Sequence, residues 1–438
     1  MKQNLVTGTI ILTISSLLCR LIGFFYRIFL SHTIGAEGMG IFQLVMPVYN
    51  LCFAVTAAGI QTALSRMIAA AAARGEKQKA VFTFFTGTVL SFLLSLILSV
   101  FIRANSQYFG TSILNDERCS SLLEIISLAL PFSALHSCIN GWFIGVKKVK
   151  IPAITQTVEE LARLGATYLV YLLLMKKNMT PGPVMAVLGL LGGEFISVLI
   201  SFFCLWNKDI LSLMSTTLSN YILTTKEIVK TAFPLTMNRL LLNLLHSVEA
   251  ILIPSCLQKG TMHATKSLEA LGTVTGMSLP LVLFPTAVIN AMSTILLPTI
   301  SEKQAQKNKN GILHLLKKTT WYSFLIGVVC ALFFYIFGNP LGSFIYKNSE
   351  AGFYIKSLSV ICPFLFINIT LASVMNGLGK TFHCFFVNLA DMIIRIICIY
   401  TLVPTLQIPG YIAGLVGGEF ICTFLSIGII MHLLKENS

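Results

Sequence analysis

Apolar runs of about twenty residues follow one another along this whole chain, with only short polar loops between them. An α-helix needs about 20 consecutive apolar residues to cross the hydrocarbon core of a bilayer. The runs fall at about 5–31, 40–70, 80–102, 121–146, 151–175, 183–206, 227–257, 268–299, 319–337, 354–378, 381–403 and 410–434, twelve in all. The longest polar stretches, 103–120, 207–226 and 300–318, are too short for a separate soluble domain. In lipid each backbone N–H and C=O must be paired within the structure, which a helix does by itself. The expected fold is therefore an all-α polytopic membrane protein with about twelve transmembrane helices. Composition agrees: 55% of the 438 residues are hydrophobic and 11% are charged, against about 25% charged in a soluble domain.

The net charge of +14 would suggest nucleic acid in a soluble protein. Here the excess of basic residues in cytoplasmic loops explains it, and no nucleic-acid partner is expected. The eleven cysteines include no CxxC and no Cys/His cluster with metal spacing, so neither a metal nor a disulfide framework is expected. "GLGKT" (377–381) ends like a phosphate-binding loop, but Val374 stands where the first glycine is needed. HExxH and GxSxG are absent. The chain is expected to be no enzyme and to need no cofactor. Its first apolar run is too long for the apolar region of a cleaved signal peptide, so it reads as a span.

The inner loops, with the N-terminus inside, hold "ARGEKQKA", "KKVK", "SEKQAQKNKNG" and Lys435. The outer "PTLQIPG" has no charge, whereas Lys176, Lys177, Lys259 and Lys266 run against the rule. Both termini are expected in the cytoplasm. The chain also repeats itself. "LGLLGGEFISVLISF" (188–202) matches "IAGLVGGEFICTFLS" (412–426), aligned on Glu194 and Glu419. Glu159 and Arg163 correspond to Asp391 and Arg395, each pair followed by a tyrosine, Tyr168 or Tyr400. "NGWFIGVKK" (140–148) matches "NGLGK" (376–380). Two pseudo-symmetric six-helix lobes are expected, at 1–206 and 227–438, joined by a cytoplasmic linker at 207–226. Transporters built from parallel repeats bind substrate between their halves.

Two arginines inside the first run need an explanation, because each costs about 2.5 to 3.5 kcal/mol at the bilayer centre. Thr9, Thr13, Ser16, Arg20, Gly23 and Arg27 are spaced 4, 3, 4, 3 and 4, which places them on one helical face. Such a stripe faces a bundle interior or a wet cavity; snorkelling beside a partner acid is the other reading, and it suits Arg27 better than Arg20. The seventh run carries a similar stripe: Arg239, Asn243 and His246, with Glu249 at its edge. These residues are the expected substrate-binding set, with Glu249 neutralising a neighbouring cation or coupling to an ion. A basic cavity favours an anion, and arginine matches phosphate oxygens bidentately.

The deep acids Glu159, Glu160, Glu194, Asp391 and Glu419 lie in the last helices of each half. With Arg163 and Arg395 they are expected to form structural salt bridges; ion coupling is the alternative. Pro47 and Pro280 fall inside the second and eighth runs, where proline permits bending.

The chain resembles the multidrug/oligosaccharidyl-lipid/polysaccharide (MOP) exporter superfamily, and within it the stage V sporulation protein B and oligosaccharide-flippase branch. The resemblance is carried by "IGAEGMGIFQLVMPVYN" (34–50), "AAGIQTALSRMIA" (57–69), "GMSLPLVLFPTAV" (276–288) and "LLPTISE" (296–302). "CRLIGFFYRIFL" is similar to the first helix of the lipid II flippases; that match implicates Arg20 directly and Arg27 with a one-residue shift. The resemblance implies a MATE-like fold with alternating access. It implies a lipid-linked oligosaccharide as substrate, such as a cell-wall or spore-cortex precursor, moved outward across the plasma membrane. It further implies membrane lipids and cell-wall synthesis proteins as partners, H⁺ or Na⁺ as coupling ion, and a Gram-positive endospore former as source. A cation-coupled multidrug exporter and a non-transporting sporulation scaffold are the alternatives. The sequence departs from the lipid II flippases at "LGTVTGMSLP" (271–280), which has no arginine, and it is expected to hold twelve spans where they carry about two more at the C-terminal end.

Overall fold

The computed structural model describes residues 2–205, 218–260 and 262–436. Residues 207–217 of the expected linker lie outside the described residues. Among those described, all regular structure is helical. The principal helices are α1 (Lys2–Phe53), α2 (Gly59–Ala73), α3 (Lys77–Ala104), α4 (Arg118–Gly145), α5 (Lys150–Lys176), α6 (Val184–Leu205) and α7 (Leu218–Lys259). They continue with α8 (Ala264–Leu271), α9 (Thr286–Ala305), α10 (Lys309–Tyr346), α11 (Ser349–Leu358), α12 (Cys362–Gly377), α13 (Thr381–Leu406) and α14 (Ile408–Glu436).

By length and composition, 8 of the helical segments can cross a bilayer, or 10 if each of two bent pairs is one span. Two features account for the difference from twelve runs. The segment Thr13–Ala73 is 61 residues long but breaks at Gly35, so it holds two runs. Helix α5 carries Glu159, Glu160 and Arg163, too much charge to qualify on composition alone. The bent pairs are Ala264–Leu283 with Thr286–Ala305 (53°) and Ser349–Leu358 with Ile361–Gly377 (54°). The first bend falls at Phe284 and Pro285 rather than at Pro280, and Pro47 sits inside α1 without ending it.

Gly35 has φ 70° and ψ −176°, a region that only glycine occupies without strain. A Cβ there would meet no atom within 4 Å, so the cost of adding one is purely conformational. Gly35→Ala is expected to lower stability by about 1–3 kcal/mol, read as a lower midpoint in a thermal melt of the detergent-solubilised protein.

Contacts divide the chain into two compact units. The first comprises Met1–Tyr26 and Leu44–Ser247, the second Arg27–Gln43 and Val248–Ser438. The boundary thus differs from the repeat boundary: 27–43 group with the second unit and the described part of 227–247 with the first. In the first unit α2, α3 and α4 pack around Leu64, Ile68, Phe84, Trp142 and Phe143. In the second, α9, α12, α13 and α14 share a core of Ile300, Leu371, Val374, Met375 and Ile430. Small residues let backbones approach where lipid gives no hydrophobic drive. Within the second unit a Cβ on Gly40 would collide with the Leu268 carbonyl, and one on Gly272 with that of Ala36. The glycines of "IGAEGMG" and "LGTVTG" are thus a close helix contact.

Candidate functional site

In the first unit, α1 buries Ser15, Cys19 and Tyr26. Ser15 Oγ donates to the Ala153 carbonyl at 2.7 Å, and Tyr26 Oη donates to that of Ala186 at 3.3 Å. Those bonds fix the helix rotation. They leave Ser16 and Arg20 exposed and Thr13 and Gly23 half-buried. The polar stripe is therefore a face that the unit's own packing does not cover, as are its neighbours Ile14, Leu17, Leu18, Leu21 and Phe25. Arg27 is half-buried and belongs to the second unit.

On α7, Arg239 and His246 are exposed and Asn243 is half-buried. Asn243 Nδ2 donates to the Asn50 carbonyl at 3.1 Å, so that residue anchors one helix to another within the first unit. Glu249 is buried in the second unit and accepts from Tyr411 Oη at 3.0 Å. Arg20, Arg239, Asn243 and His246 fall in the first unit, Arg27 and Glu249 in the second.

A buried ionic cluster lies where α4, α5 and α6 meet. Arg163 Nη2 is 2.7 Å from Glu159 Oε1, and its Nη1 is 3.2 Å from Glu160 Oε1. Glu194 is bonded differently: its Oε1 accepts from Tyr49 Oη at 2.7 Å. His136 Nδ1 stands 3.4 Å from Glu159 Oε2 and 3.8 Å from Glu194 Oε2. Its Nε2 is 2.7 Å from Asn140 Nδ2. The glycine before Glu194 permits this convergence, because a Cβ on Gly193 would press to 3.1 Å from Arg163 Cβ and from the Glu159 carbonyl.

The second unit holds the repeat-related cluster between α12, α13 and α14. Arg395 Nη2 lies 2.7 Å from Asp391 Oδ2 and 3.0 Å from Glu419 Oε1. Asn368 Nδ2 donates to Glu419 Oε2 at 2.6 Å, and Thr423 Oγ1 donates to Asn368 Oδ1 at 3.0 Å. A cavity of about 160 Å³ opens beside these groups, lined by Asn368, Asn388, Asp391, Glu419 and Ser426 among others. Here the acid of the GGE motif meets the arginine; in the first unit the GGE acid meets a tyrosine and a histidine instead.

His136 and Tyr49 were not legible as cluster members. Aligning Asn140 with Asn376 puts Ala372 opposite His136, so the repeat gave no signal for it. The i,i+4 spacing of His136 and Asn140 was the available cue. The repeated tyrosines Tyr168 and Tyr400 are exposed and lie outside both clusters.

A family model described as "Polysaccharide biosynthesis protein" matches residues 5–304, more than half of the chain. The chain belongs to the polysaccharide biosynthesis protein family. The MatE model matches residues 260–401 as well. Among relatives of this family member, stage V sporulation protein B of Bacillus subtilis (strain 168) is 24% identical over 438 residues, spanning 99% of this chain and 85% of that one. Lipid II flippase MurJ of the same organism is 23% identical over 458 residues, spanning 95% and 82%. An inward-facing MATE family multidrug resistance transporter of the MOP superfamily shares the fold with a TM-score of 0.77 at 16% identity, over 96% of each chain. Lipid II flippase MurJ in an inward closed conformation gives 0.71 at 18%, over 96% of this chain and 87% of that one. This polysaccharide biosynthesis protein is accordingly a multi-pass membrane protein of the MOP superfamily, near stage V sporulation protein B. Among these, one relative is named a flippase and one fold neighbour a transporter.

Proposed function

We propose that the chain is a flippase moving an undecaprenyl-type lipid-linked oligosaccharide, such as a cell-wall or spore-cortex precursor, outward across the plasma membrane by alternating access. The observation that carries this reading is the Arg20 face of α1. The helix packs through Ser15, Cys19 and Tyr26, and its arginine is left exposed. An intramembrane arginine kept out of the packed core is suited to an anion, and a pyrophosphate offers paired oxygens to its planar fork. Arg27, Arg239, Asn243 and His246 complete the proposed substrate set. Glu249 is the residue proposed to engage a coupling ion, H⁺ or Na⁺. In this reading the repeat halves 1–206 and 227–438 act as two lobes joined through 207–226. Both termini are cytoplasmic, in keeping with the basic inner loops. The setting is the plasma membrane of an endospore-forming bacterium, with cell-wall synthesis proteins as neighbours.

A multidrug exporter is the competing reading, favoured by the MATE-like fold and the buried carboxylates. Vesicles reconstituted with the purified chain separate the two. Labelled lipid-linked sugar is expected to become accessible on the opposite leaflet, and an organic dye cation to stay where it was placed. Movement of the cation without the lipid would sink the flippase reading.

A further inference from the structure

The buried cluster of the first unit holds more negative charge than its guanidinium can balance. Glu159, Glu160 and Glu194 face one Arg163, in a region where uncompensated charge is expensive. Glu194 is only 5% exposed, and its Oε2 has no hydrogen-bond partner among the described residues. That oxygen points at the same space as His136 Nδ1 and Glu159 Oε2, and one ligand atom from each of the three residues lies within 4.8 Å of the others. We propose that His136, Glu159 and Glu194 bind a divalent transition-metal ion of the zinc type. The site is separate from the substrate stripe, so the proposal does not depend on what the protein transports.

Geometry favours a metal over direct contact. The Nδ1–Oε2 separations of 3.4 and 3.8 Å exceed an N–H···O bond of about 2.7–3.2 Å. Two atoms bound to one tetrahedral zinc at about 2.0–2.2 Å stand about 3.4 Å apart. The donor set, one imidazole and two carboxylates, is one that zinc accepts. A divalent ion also balances the two excess negative charges.

The surroundings fit as well. A ligating imidazole must offer a lone pair at one nitrogen and donate from the other. The oxygen and nitrogen of an amide are interchangeable by a flip. With its oxygen toward Nε2, Asn140 accepts the ring N–H at 2.7 Å, and its NH₂ then faces Thr155 Oγ1 at 3.1 Å. Nδ1 is left as acceptor on the carboxylate side. Arg163 holds Glu159 through Oε1 and Tyr49 holds Glu194 through Oε1, leaving both Oε2 atoms to the ion. A water can fill the remaining position; Ser197 Oγ lies 3.0 Å from Nδ1 and 2.9 Å from Nε2 of His136 and stays on the protein. No metal spacing is visible along the chain because the ligands come from three helices. The second unit has Asn368 Nδ2 on Glu419 Oε2 in place of an imidazole, and no such donor set among its described residues.

The test uses the full chain, purified in detergent, stripped with a chelator and incubated with Zn²⁺. Metal per chain is measured after removal of free ion, and Co²⁺ serves as a spectroscopic substitute. Wild-type protein should retain about one zinc, melt at a higher temperature when loaded, and show visible d–d bands with Co²⁺. Glu194→Gln and His136→Gln should lose the retained zinc, while Glu302→Gln, an exposed carboxylate elsewhere, should keep it. Asn140→Ala should weaken zinc binding about 10- to 100-fold. The wild-type Co²⁺ spectrum keeps the test decisive even if a ligand variant misfolds. A wild type that retains no zinc and gives no Co²⁺ bands overturns the proposal. So does unchanged zinc retention in both ligand variants, or stabilisation by Na⁺ or Mg²⁺ alone.

Discussion

Arg20→Ala is expected to abolish transport of lipid-linked sugar while the protein still reaches the membrane. Arg20 is exposed on α1, whose packing runs through Ser15, Cys19 and Tyr26, so truncating it leaves those three buried side chains in place. Arg20→Lys discriminates between two roles. If Arg20 merely balances an acid, lysine keeps the charge and serves nearly as well. If it clamps a pyrophosphate, an ammonium cannot reproduce the planar two-point contact. Loss of one charge-assisted hydrogen bond is worth about 1.5–3 kcal/mol, or about a ten- to hundredfold fall in transport. Leu17→Ala is the control: Leu17 is 40% exposed on the same stretch of helix and should leave transport near wild type. Complementation beside a membrane-expression blot reads both quantities. Full activity in a well-expressed Arg20→Ala protein excludes the anion clamp.

What the sequence made legible was what is local to one helix. The spacing of Thr13, Ser16, Arg20 and Gly23 follows from 3.6 residues per turn, and these residues do share the side of α1 away from its packed face. The i,i+4 contacts of Glu159 with Arg163 and of Asp391 with Arg395 come from the same geometry. What it hid depends on packing across the chain. Tyr49 meets Glu194 across 145 positions, and no periodicity marks such a pair. The repeat suggested like environments for Glu194 and Glu419, yet only Glu419 is bonded to the arginine of its own half. Pro280 did not mark the bend. The 53° bend falls at Phe284 and Pro285, while the helix runs through Pro280 without a break from Ala264 to Leu283.

Arg395→Gln is expected to destabilise the protein by about 3–5 kcal/mol, the usual cost of stranding a buried charge. Its guanidinium serves Asp391 at 2.7 Å and Glu419 at 3.0 Å, with all three side chains no more than 15% exposed. Removing it takes the guanidinium from Asp391, Glu419 and Glu249, all of which face it. The triple variant Asp391→Asn, Arg395→Gln, Glu419→Gln removes the charges together and keeps the volumes. Amides at 391 and 419 can still accept from their neighbours, including Asn368 at 419. Neutralising a buried network as a whole is often neutral or stabilising; Glu249 also faces Arg395 and keeps its charge in the triple variant, so that variant should recover part of the loss. If the cluster is a structural tie within its unit, the triple variant is both stable and transport-competent. Thermal melts rank the variants, and the vesicle assay adds the second readout. A triple variant as stable as wild type but dead in transport would show that these groups act in the transport cycle and defeat the structural reading.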